Sequence, residues 1–180
     1  VEANREYMSV SQFKDFLPQY GGCEARRMAI LNREWEEPEN PAFLLGSYVH
    51  AWNSNDLKDF MAETPQLFKK NGGLYAKYAI GDDMINALKN DEIAMKALEG
   101  EKEVIITEEL FGIPWKIMID SLNRETKTFT DLKTCREINK TYWNEELRER
   151  ENFIVQWGYD IELSVYAEIE RRDRGEKEHY

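Results

Sequence analysis

The sequence predicts an α+β protein in which a three-stranded antiparallel meander is flanked by helices and preceded by a helical N-terminal portion. Up to Gly100, apolar residues recur at helical spacing. After Gly100, β-branched and aromatic residues dominate three segments separated by turn residues. From residue 140 the helical pattern returns. We therefore expect one domain over residues 1–180, with a mainly helical portion (1–100) and a portion of strands and C-terminal helices (101–180).

Several short helices make up the N-terminal portion. Ser9 and Gln12 have the spacing of a capping box, which predicts the start of a helix that Pro18 closes. Gly21 and Gly22 then interrupt the chain. Further helices are predicted over 23–34, 42–52, 55–64 and, as one or two amphipathic helices, 82–98.

The meander and the last helices follow. Turn signals at Gly112–Pro114 and Asn123–Glu125 separate the strands. The predicted strands are 102–109, 114–122 and 127–134, and the predicted C-terminal helices are 140–150 and 152–172. In the second of these helices, Ile154, Trp157, Ile161, Val165 and Ile169 form an apolar stripe.

Composition restricts the classes of function. The chain has 180 residues, of which 42% are hydrophobic and 12% aromatic, so it is able to bury a core. Its formal net charge of −11 argues against a sequence-blind coat for nucleic acid, which would be basic. Two cysteines, Cys23 and Cys135, are too few for a disulfide scaffold and favour a reducing cytoplasm. No apolar run approaches the ~20 residues of a membrane span, so no membrane partner is expected.

The second hairpin carries the strongest chemical signal. Asp131 and Lys133 are two residues apart, hence on one face of a strand, with Leu132 on the other. If facing residue numbers sum to about 249–251, Asp120 lies opposite Asp131 or one diagonal step away, ~5–8 Å apart at Cβ. Two carboxylates and the Leu132 carbonyl would form an oxygen site for Mg²⁺ or Mn²⁺. The alternative is a solvated ion pair on an exposed strand.

Two helical motifs are weaker when taken alone. Gly46 and His50 lie four residues apart on one helix face, and a glycine there indicates close approach of another backbone or of a ligand. A single histidine on an apolar helix is more often a core residue. Glu162 and Tyr166 also share a helix face, and Gln156 precedes them, but this spacing is equally typical of a solvated surface.

Together and in this order, these motifs resemble the PD-(D/E)XK nuclease superfamily, and most closely its RecB/RecE-like phage and prophage exonucleases of the exodeoxyribonuclease VIII type. The motifs are Gly-x-x-x-His at Gly46–His50, the strand GIPWKIMID ending at Asp120, FTDLKT with Asp131 and Lys133, and a helix of the type Gln-x-x-x-Tyr. The resemblance extends over nearly the whole chain and implies a restriction-endonuclease-like core.

The resemblance also implies a site and an activity. His50, Asp120 and Asp131, with the Leu132 carbonyl, would hold one or two Mg²⁺ or Mn²⁺ ions, and Lys133 would act on the attacking water. The implied activity is a metal-dependent DNA exonuclease acting on linear double-stranded ends in recombination or repair, in the cytoplasm of a bacterial or phage-infected cell. A recombination annealing protein and further copies of the chain are implied partners. Relatives with an iron–sulfur cluster need four cysteines, so no cluster is expected.

The sequence departs from the family pattern at two places. With Tyr166 in the tyrosine position, Glu162 stands where the family has glutamine, and Gln156 is followed by Asp160 at its fourth place. Glu162, Tyr166, Gln156 and Arg136 are the candidates for substrate binding. In addition, the family core usually continues past this helix into at least one further strand. Either that strand was trimmed from this sequence or it is missing, and an exposed sheet edge is expected.

Two other classes of function are compatible with the same residues. One is a catalytically silent DNA-binding or recombination-assembly protein that retains the nuclease fold. The other is an acidic interaction domain whose carboxylates only solubilise the chain. The intact set of His50, Asp120, Asp131 and Lys133 favours the enzyme.

Overall fold

The computed structural model describes residues 3–37, 41–145 and 147–176, which form two compact units. The first unit contains the described parts of 1–38, 105–118 and 135–180. The second unit contains those of 39–104 and 119–134. The assignment of all 180 residues to a single domain stays a prediction.

Helices and strands follow the predicted order over most of the described chain. The α-helices are α1 (Ala3–Glu6), α2 (Val10–Lys14), α3 (Glu24–Leu31), α4 (Pro41–Asn53), α5 (Leu57–Glu63), α6 (Ile80–Lys89), α7 (Glu92–Ala97), α8 (Phe153–Gln156) and α9 (Tyr159–Asp173). The strands are β1 (Glu101–Leu110), β2 (Ile113–Asn123), β3 (Thr128–Thr130), β4 (Thr141–Asn144) and β5 (Glu149–Asn152). No described helix has both the length and the apolar content needed to cross a bilayer.

Strands β1, β2 and β3 form the predicted three-stranded meander, in that order. β2 and β3 are antiparallel, and Ser121 lies opposite Thr130, which agrees with the register predicted from the turn. β3 ends at Thr130, so the prediction of a strand through residue 134 was too long by four residues. The reason is that the Leu132 N–H bonds to the Asp120 carboxylate at 2.6 Å instead of to a strand backbone.

In the first unit, α2 begins with the predicted capping box. Gln12 N donates to Ser9 Oγ at 3.2 Å, and Ser9 N donates to Gln12 Oε1 at 2.8 Å. Immediately before this helix, Met8 exchanges two backbone hydrogen bonds with the start of β2, through Pro114 O at 2.8 Å and Lys116 N at 2.9 Å. These bonds fix the entry of α2 beside the strand.

In the second unit, α4 carries much of the core. Tyr48 and Val49 on α4 are buried together with Leu67 and Ile85 from the segments that follow. Leu132, between the two charged residues of the Asp-x-Lys motif, packs against this core. The predicted alternation is therefore confirmed at Leu132 even though the strand has already ended.

The predicted helix over 140–150 was wrong, because these residues form a β4–β5 hairpin. Thr141 pairs with Asn152, and Asn144 pairs with Glu149. The turn is stabilised by Asn144, whose Oδ1 accepts from Leu147 N at 3.0 Å. Glutamate, leucine and arginine suggested a helix here, but this local side-chain bond and the β-preferring residues of β4 favour the hairpin.

The predicted helix over 152–172 is divided into α8 and α9. Gly158 has a φ of 61°, the left-handed conformation that ends a helix. At this break between α8 and α9, the Lys14 ammonium donates to the Trp157 carbonyl at 3.1 Å. The predicted apolar stripe is only partly internal: Ile169 is fully buried, whereas Ile154 and Trp157 are exposed.

We predict that Gly158→Ala destabilises the protein more than Gly112→Ala does. Both glycines have a positive φ, so each substitution costs about 1–2 kcal/mol of backbone strain. A Cβ at Gly112 meets open space, whereas one at Gly158 lies 2.9 Å from the Tyr20 ring. This contact adds about 1 kcal/mol or more to the free-energy cost of Gly158→Ala. Urea unfolding of both variants measures the difference, and equal destabilisation would contradict the contact with Tyr20.

Candidate active site

The centre of the candidate site is the Asp120 carboxylate at the inner end of β2. Its side chain is 6% exposed. His50 on α4 approaches it with Nδ1 3.1 Å from Oδ1, and the Leu132 N–H donates to Oδ2 at 2.6 Å. Because an ionised carboxylate only accepts, His50 Nδ1 carries the proton and Nε2 is the remaining ring nitrogen. One carboxylate therefore connects α4, β2 and the segment after β3.

Asp131 and Lys133 form the second charged pair. The Lys133 ammonium lies 2.8 Å from Asp131 Oδ2 and 3.1 Å from Oδ1. The Asp131 side chain is 6% exposed and that of Lys133 is 29% exposed, so this is not the solvated pair of an exposed strand. The Leu132 backbone bond brings this pair to the Asp120 carboxylate.

The pKa of His50 reflects the charges and the burial of the groups around it. The hydrogen bond with Asp120 is the main reason that the pKa of His50 lies above its ordinary value of 6.5. Burial and the Lys133 charge lower this pKa, whereas the charges of Asp120 and Asp131 raise it. The site thus contains two buried carboxylates, balanced by one ammonium and one imidazole that readily takes up a proton.

Gly46 explains the spacing of the Gly-x-x-x-His motif. It lies one turn before His50 on α4, and a Cβ at this position would be only 3.1 Å from Thr134 Oγ1. The close neighbour is therefore the side chain that directly follows Lys133, and not the backbone or ligand that the glycine suggested. A small residue on α4 leaves room for the Asp131–Thr134 segment beside His50.

Three further polar residues surround Asp120, and the sequence analysis did not identify them. Asn53 is 6% exposed, and its Nδ2 donates to the Asp120 carbonyl and to Ser121 Oγ, both at 3.2 Å. Lys102 donates to Asn53 Oδ1 at 2.8 Å and to Ser121 Oγ at 2.9 Å. Asn53 lies three residues after His50 on an otherwise apolar helix, a signal that could have found it.

The four predicted substrate-binding residues all belong to the first unit, whereas His50, Asp120, Asp131 and Lys133 belong to the second. Glu162 is buried, and its Oε2 accepts from the Lys14 ammonium at 2.7 Å. The carboxylate in the glutamine position is therefore neutralised within the unit. Tyr166 is half-buried on α9, and Gln156 lines a cavity of about 290 Å³. Arg136 is exposed in the segment between β3 and β4.

The two carboxylates and the Leu132 carbonyl fit Mg²⁺ or Mn²⁺ by chemistry, since both ions prefer oxygen ligands, whereas the His50 imidazole is the less usual ligand for either ion. Across residues 3–37, 41–145 and 147–176, no three histidine, cysteine, aspartate or glutamate side chains are arranged to hold an ion as they stand. Asp120 is bonded to His50, and Asp131 is bonded to Lys133. Binding of an ion thus requires these carboxylates to exchange their present partners.

This fold and site define a class, the PD-(D/E)XK nuclease superfamily, as the motif order predicted. Residues 9–180 match the model of one of its families, "PDDEXK-like domain of unknown function (DUF3799)", and the chain belongs to this family. No match was found among curated proteins.

A solved structure is also similar. It is the crystal structure of a "Putative exonuclease" from Eubacterium rectale, which is 40% identical to this chain and superposes with a TM-score of 0.88. The alignment covers 98% of this chain and 66% of the Eubacterium protein, so the chain spans slightly less than two thirds of that protein. This likeness agrees with the predicted restriction-endonuclease-like α+β fold.

We predict that Asp120→Asn lowers the pKa of His50 in the metal-free protein. The substitution removes the charge that raises this pKa and leaves only a neutral amide oxygen to accept from the His50 N–H, while the burial that lowers the pKa remains. In the wild type, protonated His50 stabilises the fold below pH 6.5, and this contribution is lost as the pH rises through the raised pKa. NMR titration of the two histidines measures the change, with His179 as the internal reference. An unchanged His50 pKa would contradict the assigned pair.

Proposed function

We propose that this protein is a divalent-metal-dependent exonuclease that hydrolyses phosphodiester bonds of linear DNA. The observation that carries the proposal is the connection of two buried carboxylates, Asp120 and Asp131, through the Leu132 backbone. Membership of the PDDEXK-like family supports nuclease chemistry. The likeness to a protein described as an exonuclease supports action on DNA ends.

The residues that would hold the metal are His50, Asp120 and Asp131, with the Leu132 carbonyl. A divalent ion held there would supply a hydroxide from water at neutral pH and would stabilise the charge of the leaving oxygen. In the resting arrangement Nδ1–H of His50 donates to Asp120, so His50 would join the ligand set only after its ring leaves this carboxylate.

Lys133 has the position and charge to act on the reacting groups. In the resting arrangement the Lys133 ammonium is paired with Asp131 and is partly open to solvent. If Asp131 serves as a metal ligand, this ammonium would be available to orient the attacking water or to neutralise charge on the phosphate. In the reaction the water oxygen bonds to phosphorus, and the bond from phosphorus to the leaving oxygen breaks.

The proposed substrate is linear double-stranded DNA, and the proposed role is phage or prophage recombination or repair, as in the RecE-like enzymes. A net charge of −11 disfavours binding of DNA over a broad surface. The proposal therefore assigns DNA binding to the local site, where metal ions reverse the sign of the charge. A recombination annealing protein and self-association belong to the same proposal.

We expect Asp131→Asn to reduce nucleotide release from end-labelled linear duplex at least hundredfold, because it removes a central group of transition-state stabilisation. The assay contains Mn²⁺ and compares linear with covalently closed circular duplex, of which only the linear form should be degraded. Asp91→Asn is the matched control. Asp91 is an exposed N-cap of α7 in the same unit, and asparagine caps equally well.

The outcomes separate the proposals. Equal activity of Asp131→Asn and the wild type would overturn the role of Asp131. Release from circular duplex would overturn exonuclease specificity but not nuclease activity. Binding of duplex by the wild type without any release would favour the silent DNA-binding protein.

We further predict that duplex binding depends on divalent ions. In EDTA the acidic chain repels DNA, so fluorescence anisotropy should show at least tenfold weaker binding than in Ca²⁺, a cation with similar oxygen ligands. Ionic strength is held equal with K⁺ to separate site binding from general screening. Equal affinity in EDTA and Ca²⁺ would contradict a metal-mediated DNA site.

A further inference from the structure

Behind Asp120, on the side of its backbone, lies a polar network that the proposed chemistry does not use. Its members are Lys102 at the start of β1, Asn53 at the end of α4, and Ser121 next to Asp120 on β2. Asn53 and Ser121 are among the buried polar residues of the second unit, and Lys102 is half-buried. Polar groups inside an apolar unit are costly unless they are bonded, so their arrangement needs a reason.

The Lys102 ammonium sets the orientation of this network. Its three protons have three oxygen acceptors: Asn53 Oδ1 at 2.8 Å, Ser121 Oγ at 2.9 Å and the Leu98 carbonyl at the end of α7. Because an ammonium can only donate, the oxygen of the Asn53 amide must face Lys102. The amide nitrogen then faces β2 and donates to the Asp120 carbonyl at 3.2 Å.

The result is a second connection between α4 and Asp120. His50 bonds to the carboxylate of Asp120, and Asn53, three residues later on the same helix, bonds to its carbonyl. Two bonds from one helix to both ends of one residue restrict its rotation and translation far more than either bond alone. The charge of Asp120 also opposes the lowering of the Lys102 pKa by burial.

We propose that Lys102 and Asn53 are positioning residues of the Asp120–His50 pair, acting through the Asp120 carbonyl. The importance of the Asp120–His50 pair for DNA hydrolysis rests on the proposed function. The geometry of the pair is a property of the structure and does not depend on that function. Lys102 acts on Asp120 through its bonds to Asn53 and Ser121, and not through a bond to the Asp120 carboxylate. Its loss therefore changes the alignment of the site and leaves its chemical groups in place.

The test uses Lys102→Met, which removes the donors and leaves an unbranched side chain one atom shorter. It also uses Asn53→Asp, which retains a partner for Lys102 but loses the donor to Asp120. Lys96→Met, on the exposed face of α7, is the matched control for loss of a lysine charge in the same unit. If Lys102→Met does not fold, Asn53→Asp and the hydroxyl deletion Ser121→Ala test the same network.

The first readout is independent of activity. In metal-free protein at one fixed pH, the His50 Nδ1 proton is observed by ¹H–¹⁵N NMR as a slowly exchanging resonance. His179→Gln assigns it, since the chain has two histidines. We expect this resonance to persist in Lys96→Met and to be lost or broadened in Lys102→Met and Asn53→Asp. Persistence of an unchanged resonance in both network variants would overturn the proposal.

The second readout is the kinetics of nucleotide release. We expect kcat to fall at least tenfold in Lys102→Met with KM for DNA within twofold, and Lys102→Met/Asn53→Asp to lose little more than either single variant. Additive losses, or a change confined to KM, would overturn positioning through one network. If the wild type releases no nucleotide, the proposed function fails, and the NMR readout alone decides the positioning of the pair.

Discussion

The Asp120 carboxylate is the group on which the rest of the site depends. This buried carboxylate accepts one hydrogen bond from His50 Nδ1–H and another from the Leu132 N–H. The bond to Leu132 ends β3 early and holds the Asp131–Lys133 pair near Asp120. The bond to His50 determines which face of α4 lies against β2. A buried carboxylate left without such partners would cost several kcal/mol, so the fold of the second unit and its chemistry are stabilised by the same contacts.

The resting charge arrangement also prepares the site for a cation. Each carboxylate has a protein partner, Asp120 in His50 and Asp131 in Lys133, so these buried oxygens are bonded within the protein. A divalent ion would replace those partners and thereby free Lys133 for the substrate. The glutamate in the glutamine position follows a similar principle in the first unit, because Lys14 neutralises Glu162.

Sequence reasoning was strongest where a pattern was local. The spacing of the second turn was sufficient to predict the register of β2 and β3. Gly46 indicated a crowded position on α4, although its neighbour is the Thr134 side chain and not a backbone or a ligand. Sequence reasoning failed where a distant contact or a single side chain decided the outcome. A bond to the Asn144 side chain stabilises a hairpin where the composition suggested a helix. The partner of Glu162 could not be predicted either, because Lys14 lies 148 positions before it in the chain. Lys102 has no sequence signal, since its partners come from three other segments of the chain.

The central claim is that His50, Asp120 and Asp131 bind one divalent ion together. Crystals of the protein soaked with Mn²⁺ and measured for anomalous scattering test it most directly. The account predicts an anomalous peak bonded to both carboxylates and to a ring nitrogen of His50, with the present His50–Asp120 and Asp131–Lys133 bonds broken. Mn²⁺ bound elsewhere, with the Asp131–Lys133 pair intact at its present 2.8 Å, would contradict it.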